Sequence, residues 1–200
     1  FMYLLQDKGW GLIVYHGTEN EEFVKEGLKD WPNVIYTKMA VDNLTIDSYN
    51  NLMCSANFLK SLKNKGCKHF LIFQTDTLLF KDTIDDYLQY DYIGAPWNCK
   101  LFGMMEVGNG GLSLRNVDKM LEIVETCQRI KPQLKAEDVY FSYWSLQKKF
   151  NVPPVDIAKT FSMELLYYHD PCCFHKPWMG AFPEFKDFTN ILSKRFNIQQ

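Results

Sequence analysis

Short apolar runs alternate along the chain with segments in which apolar residues recur at helical spacing. The apolar runs predict strands at Gly11–Tyr15, Val34–Tyr36, Phe70–Phe73, Asp91–Trp97 and, after a glycine turn, within Gly108–Arg115. The helical spacing predicts helices at Ile46–Leu62, with Asp47 or Ser48 as the cap, and at Val117–Arg129, Glu137–Phe150 and Glu184–Phe196. Strands alternating with helices are typical of an α/β fold, so we expect a central, mostly parallel sheet flanked by helices, within a single domain at 1–200.

Composition and charge restrict the classes of function. The 200 residues are 46% hydrophobic and carry 22 Lys and Arg against 24 Asp and Glu, a formal net charge of −2. No basic surface for nucleic acid is therefore expected. No apolar stretch approaches the roughly 20 residues of a membrane-spanning helix, and no signal sequence is evident, so a membrane span is not expected.

The cysteines and the first residues bear on compartment and completeness. Six cysteines without a CxxC pair predict reduced thiols, and therefore a cytoplasmic rather than a secreted protein. Phe1 precedes Met2, which indicates either a tag remnant or a domain cut from a longer protein.

Two predicted strands end in polar turns, where ligands collect in an α/β sheet. The first strand is followed by His16, Gly17 and Thr18, and the Phe70–Phe73 strand by Gln74, Thr75 and Asp76. The Asp76 carboxylate is suited to a hard divalent cation that bridges phosphate groups, although a turn aspartate also commonly caps its own backbone.

Two further segments could contribute to a site. The GNGG run at 108–111 permits close approach of the backbone to a ligand, but it is neither a dinucleotide fingerprint nor a Walker loop, and most such runs are simple turns. Glu137 and Asp138 open a predicted helix, where the helix dipole alone favours acids. One of the two could instead be a general base for an acceptor hydroxyl.

The C-terminal segment YYHDPCCFHKPW holds two histidines that could complete a metal site, His169 and His175. Lys176 could contact a diphosphate as a point charge. Trp97 and Trp178, each beside a proline, are candidate platforms for sugar stacking, although aromatic residues mostly pack in cores.

In this order, the features resemble the common core of the GT-A class of nucleotide-sugar glycosyltransferases, which carries a DxD motif, a glycine-rich loop, an acidic pair at a helix start and a C-terminal histidine. The matching segments are Gln74–Asp76, Gly108–Gly111, Ala136–Asp138 and His175. The segments FQTD, DYIGAPW, GNGGLSLR, EDVYF and FHKPW are closer still to a subset of such domains in large DNA viruses, of the kind found at the amino terminus of multidomain chlorella-virus glycosyltransferases.

The resemblance implies a Rossmann-like domain that binds a UDP-sugar with Mn²⁺ or Mg²⁺ and transfers the sugar to a hydroxyl of a glycan, in the host cytoplasm if the chain is viral. It implies Asp76 and His175 as metal ligands, with His169 as the alternative histidine, and Asp138 or Glu137 as the catalytic acid. The donor would contact the residues at strand ends and turns: His16, Gly17, Thr18, Thr75, Asp76, Gly110, Gly111 and Lys176.

One departure from the family pattern keeps alternatives open. Gln74 stands where the first acid of DxD would be, so the metal would gain one carboxylate fewer from this turn. The alternatives are an inactive nucleotide-sugar or carbohydrate-binding domain and a sugar-phosphate nucleotidyltransferase, although HGTEN lacks the basic glycine-rich loop that the latter requires.

Overall fold

The fold was analysed in a computed structural model, which describes residues 2–5, 7–129 and 134–176. The chain divides into two compact units, Phe1–Leu52 and Met53–Gln200. The predicted helix at Glu184–Phe196 and Trp178 lie outside the described residues. The single-domain organisation stays a prediction.

Helices and strands are interspersed along the described residues. The helices are α1 (Met2–Leu5), α2 (Glu21–Gly27), α3 (Ile46–Met53), α4 (Ala56–Asn64), α5 (Val117–Thr126), α6 (Glu137–Gln147) and α7 (Val155–Phe161). The strands are β1 (Leu12–His16), β2 (Val34–Lys38), β3 (His69–Phe73), β4 (Thr77–Leu79), β5 (Tyr92–Gly94), β6 (Pro96–Leu101), β7 (Met105–Val107), β8 (Leu112–Asn116), β9 (Ser162–Met163) and β10 (Cys173–His175). A short 3-10 helix covers Ile84–Tyr87. The α/β class predicted from the sequence is therefore confirmed.

The sheets are small, and most of their strand pairs are antiparallel. The described strands form the sheets β1-β2, β3-β8-β5, β4-β10-β9 and β6-β7. Of the six described pairs only β1 with β2 and β9 with β10 are parallel. The expected central, mostly parallel sheet is thus not what these residues form. Strand β8 lies between β3 and β5 and runs antiparallel to both, pairing Phe73 with Leu112 and Gly94 with Ser113.

The predicted helix at Ile46–Leu62 is two helices, because Ser55 adopts an extended conformation with φ −90° and ψ 125°. The Ser55 hydroxyl accepts a hydrogen bond from the Phe58 N–H at 3.4 Å, which is the usual role of an N-cap. The cap of α3 is Thr45, whose hydroxyl accepts from the Ser48 N–H at 3.2 Å, and not Asp47 or Ser48 as predicted.

The core of the second unit lies around the β3-β8-β5 sheet. Helix α4 packs against α5, and fully buried side chains from the strands and helices fill the space, among them Leu59, Ile93, Leu114, Ile123 and Phe141. A smaller cluster of Phe80, Met163 and Phe174 supports the β4-β10-β9 sheet, on which His175 is the last residue. Buried apolar packing therefore fixes both sheets that carry the predicted site residues.

All six cysteines are free thiols, as predicted. None of the helices among residues 2–129 and 134–176 combines the length and the apolar character needed to cross a membrane.

Candidate metal centre at the glycine turn

The β4-β10-β9 sheet brings Asp76 and His175 together from positions about a hundred residues apart. Strand β10 runs antiparallel to β4 and pairs His175 with Thr77, the residue after Asp76. The Lys176 N–H then donates to the Asp76 carbonyl at 2.8 Å. As a result, His175 Nε2 lies 3.5 Å from Asp76 Oδ1.

Both facing atoms are buried, and neither has a hydrogen-bond partner among the described residues. A separation of 3.5 Å is longer than a hydrogen bond between a ring nitrogen and a carboxylate. A buried polar atom that lacks a partner costs about 1–3 kcal/mol. A carboxylate oxygen and an imidazole nitrogen are ligands that Mn²⁺ accepts, so a divalent cation fits this pair of atoms.

The glycine turn lies next to the Asp76–His175 pair. A Cβ added at Gly111 would lie 2.3 Å from His175 Nε2 and 2.9 Å from Gln74 Oε1, so only glycine lets the turn approach these two atoms so closely. The Gln74 N–H donates to the Gly111 carbonyl at 2.9 Å, which holds the turn against the Gln74–Asp76 segment. The Gln74 side-chain oxygen therefore reaches the same place as the histidine nitrogen, as a neutral oxygen donor.

Protein ligands alone would not complete a coordination sphere. Among the described residues, no group of three or more His, Cys, Asp and Glu side chains is arranged to hold a metal ion. Two ligands from Asp76 and His175 leave most positions to water and to substrate oxygens, which is how Mg²⁺ and related ions bind with phosphates.

The histidine at the pair is His175, and not its neighbour His169. The His169 side chain is exposed, and its ring lies 4.7 Å from the Tyr168 ring, centroid to centroid. His175 is only 3% exposed. Burial at the end of β10 is thus what selects between two histidines that the sequence left as alternatives.

Glu137 and Asp138 have different surroundings, although both lie in the first turn of α6. Glu137 is 1% exposed and receives hydrogen bonds from Arg115, through Nη2 to Oε1 at 3.1 Å and through Nη1 to Oε2. Burial raises the pKa of Glu137, and the Arg115 guanidinium opposes that rise. A carboxylate held in this way binds Arg115 and is poorly placed to take a proton from a substrate.

Asp138 is half-buried beside the same turn. A Cβ added at Gly110 would lie 2.4 Å from Glu137 Oε1 and 3.7 Å from the Asp138 Cβ. Gly110 therefore borders the acidic pair, while Gly111 borders the Asp76–His175 pair. The turn joins the two groups of predicted site residues.

The turn after β1 is closed by its own unit. The Gly17 N–H donates to Asn20 Oδ1 at 2.9 Å, and Asp42 Oδ1 accepts from the N–H groups of Thr18 and Glu19. The buried His16 ring contacts the Gly17 carbonyl through Nδ1 at 2.8 Å. These backbone donors are already satisfied, so the predicted binding of a nucleoside at His16–Thr18 gains no support from this geometry.

Three predicted site residues remain, and their surroundings differ. Thr75 is exposed in the turn before β4. Lys176 is half-buried with a positive φ of 51°. The Trp97 ring lies against Gly108, where an added Cβ would be 2.1 Å from its Cζ2 atom. Its use as a sugar platform stays a prediction.

Two residues at the centre, Asn109 and Glu164, were missed by the sequence reasoning. Asn109 Nδ2 donates to Glu164 Oε2 at 2.8 Å and lies 2.9 Å from His175 Nδ1, and Glu164 Oε1 also lies 2.9 Å from that nitrogen. Asn109 could have been found from its place inside GNGG. Glu164 follows a strand of two residues and carries no motif signal.

The chain is thus a mixed α/β protein with a candidate metal centre. The centre consists of the Asp76 carboxylate and the His175 imidazole beside the glycine turn. Residues 34–175 match the model of a family described as a protein of unknown function (DUF5672). Because the match covers more than half of the 200 residues, the chain belongs to this family. No curated protein matches the chain.

Proposed function

We propose that the chain is a metal-dependent glycosyltransferase of the GT-A class, which moves a sugar from a UDP-sugar to a hydroxyl group of a glycan acceptor. The observation that carries the proposal is the convergence of Asp76 Oδ1 and His175 Nε2 beside Gly111. The two atoms are buried, lie 3.5 Å apart, and have no hydrogen-bond partner in the part of the chain that the structure describes. The ordered motifs of the sequence give the pair its chemical context.

Asp76 and His175 would hold Mn²⁺ or Mg²⁺, with Gln74 Oε1 as a neighbouring oxygen donor. A bound divalent cation neutralises the negative charge that develops on a departing diphosphate. Lys176 follows His175 directly and would add a positive charge at the same edge, which suits a phosphate group.

Asp138 would act on the acceptor. In the transfer, the bond between the anomeric carbon and the phosphate oxygen breaks and UDP leaves. The acceptor oxygen forms the new bond to the anomeric carbon, and its proton passes to the Asp138 carboxylate. The position of Asp138 beside Gly110, next to the proposed metal ligands at Gly111, supports this assignment.

Backbone strain at the turn is a second observation in favour of a functional site. Asn109 has a φ of 147° and Lys176 a φ of 51°. Non-glycine residues in such regions cost of order 1–3 kcal/mol each and concentrate at active and ligand-binding sites. Lys176 follows His175 in the chain, and Asn109 lies beside the His175 ring in space.

UDP release from UDP-glucose tests the proposal, because many transferases slowly pass their donor sugar to water. The wild-type protein should release UDP with Mn²⁺ and stop when EDTA is added. Asp76→Ala should abolish both the release and the Mn²⁺-supported binding of UDP, with an unchanged far-UV CD spectrum. Asp156→Ala is the matched control, because that side chain is 85% exposed and forms an ion pair with Lys159 within the same helix.

The other outcomes are equally informative. UDP binding that Asp76→Ala leaves undiminished would remove Asp76 from the site. Binding of UDP-glucose by calorimetry without any release would favour a binding domain that has lost turnover.

A further inference from the structure

The His175 ring is held on the edge opposite to Asp76 by two side chains. Glu164 Oε1 and Asn109 Nδ2 each lie 2.9 Å from His175 Nδ1. Asn109 Nδ2 also donates to the second carboxylate oxygen, Glu164 Oε2, at 2.8 Å. The side chains of His175 and Glu164 are 4% and 18% exposed, so water contributes little to this arrangement.

The register between strands β9 and β10 determines the position of the Glu164 carboxylate. Strands β9 and β10 run parallel, with Ser162 beside Cys173 and Met163 beside Phe174. Continuing that register by one residue brings Glu164 beside His175. The pairing that carries the histidine therefore also carries its partner.

The backbone of the glycine turn fixes the orientation of the Asn109 side-chain amide. Asn109 Oδ1 accepts hydrogen bonds from the N–H groups of Gly111 at 2.8 Å and Leu112 at 3.1 Å. With its oxygen committed to these two backbone donors, the Asn109 amide must present its nitrogen to Glu164 and His175.

Two groups therefore compete for His175 Nδ1, and they favour opposite tautomers. The Asn109 amide nitrogen would favour an unprotonated Nδ1, whereas the Glu164 carboxylate favours a proton there. A hydrogen bond to a carboxylate is about twice as strong as one between neutral groups. One of the two hydrogens on Asn109 Nδ2 already bonds to Glu164 Oε2, and for the ring nitrogen the stronger hydrogen bond to the carboxylate decides.

We propose that Glu164 and Asn109 are positioning residues that hold the proton of His175 on Nδ1 and leave the Nε2 lone pair facing Asp76. The inference rests on the proposed function, in which Nε2 is a metal ligand. A histidine that binds a metal commonly donates its other N–H to a carboxylate, which fixes the ring and raises its basicity. Loss of such a partner weakens metal binding about 10–100-fold.

Glu164→Gln gives a sharp test, because the surrounding hydrogen bonds dictate how the new amide must lie. The Asn109 N–H requires an acceptor, so the glutamine oxygen faces Asn109 and the glutamine nitrogen faces His175 Nδ1. The variant should therefore move the ring proton to Nε2. Nitrogen-15 NMR of histidine-labelled protein, without metal, distinguishes the protonated ring nitrogen from the unprotonated one.

The wild-type protein should show a proton on Nδ1 only, and Glu164→Gln should show it on Nε2. The chain has four histidines, and loss of one signal set in His175→Asn assigns the right one. A wild-type ring protonated on Nε2, or on both nitrogens, would overturn the inference, as would a Glu164→Gln ring that keeps its proton on Nδ1.

Metal binding is the second measurement, made with Mn²⁺ alone and with Mn²⁺ plus UDP by electron paramagnetic resonance. Glu164→Gln should raise the Kd for Mn²⁺ about 10–100-fold. Glu106→Gln serves as the control, since that side chain is 39% exposed and lies 3.5 Å from the Lys100 ammonium. Equal Mn²⁺ affinity in Glu164→Gln and wild type would refute the positioning role. A wild-type protein with the expected tautomer and no Mn²⁺ binding would instead refute the proposed function.

Discussion

Glu137→Gln should destabilise the protein strongly, because it removes the carboxylate charge that pairs with the buried Arg115 guanidinium. The side chains of Arg115 and Glu137 are 0% and 2% exposed. The guanidinium also lies over two aromatic rings, 5.3 Å from the Tyr92 centroid and 5.2 Å from that of Phe141. Arg115 Nε also donates a hydrogen bond to the Ser113 hydroxyl at 3.0 Å.

Removing one partner of a buried ion pair typically costs about 3–5 kcal/mol. For a chain of this size each kcal/mol lowers Tm by about 2–4 °C, so the variant should melt roughly 6–20 °C below wild type. Thermal and urea unfolding followed by CD would measure the loss.

A double variant separates burial of the charge from loss of packing. Arg115→Met should be destabilising by itself, since it leaves the Glu137 carboxylate buried. Arg115→Met combined with Glu137→Met should recover part of the loss, because replacing both charges by apolar groups is often neutral or stabilising. If Glu137→Gln melts like wild type and yet releases no UDP, Glu137 is a catalytic residue and the structural role argued for it is refuted.

Three further outcomes follow from named contacts. Gly111→Ala should abolish Mn²⁺-supported UDP binding, measured by calorimetry, because its Cβ would lie 2.3 Å from His175 Nε2 and displace the ring; retained affinity would show that the position of His175 does not matter for binding. Asn116→Ala should lower the free energy of unfolding in urea by about 1 kcal/mol, because Asn116 Oδ1 caps α5 by accepting from the Lys119 N–H at 3.1 Å. Hydrogen bonds from two lysine ammonium groups lower the pKa of Glu21 from its ordinary 4.5 to about 2, so its contribution to stability should be complete above pH 4.5 and lost as the pH falls toward 2. Carboxyl NMR titration checks this, and a midpoint near 4.5 would contradict it.

The sequence indicated where strands and helices lie better than how the strands pair. The apolar run at Phe70–Phe73 predicted a strand, and β3 is there. A continuously apolar run is typical of a strand covered on both faces, as in a parallel sheet, yet the residues of this strand are only partly buried. Strand direction depends on the chain between strands. Here β4, β5, β6 and β7 lie between β3 and β8 in the sequence, and β8 pairs antiparallel to β3. Hydrophobic periodicity carries no information on that reversal.

The candidate site is similar: the sequence could identify single residues, but not the contacts between them. Asp76 and His175 could be named because each residue type has metal-binding chemistry and lies in a motif. Glu164 could not, because its role depends on the register of β9 against β10, and β9 is only two residues long. Glu137 was predicted as a candidate catalytic residue from its place in an acidic pair at a helix start. The sequence did not predict its ion pair with Arg115, which lies 22 residues earlier. Contacts of this kind are set by packing in three dimensions.

The glycine turn explains why such contacts converge. Each residue of GNGG meets a different group, and none of the three glycines has room for a Cβ: Gly108 lies under Trp97, Gly110 against Glu137 Oε1, and Gly111 against His175 Nε2. Asn109 supplies the hydrogen bonds that a glycine could not, to Glu164 through Nδ2 and to the N–H of Gly111 through Oδ1. A simple turn between two strands would place no such demand on four successive positions. Close packing on every side therefore favours a turn shaped around a site, and a change that moves it should disturb the Asp76–His175 pair and the Arg115–Glu137 pair together.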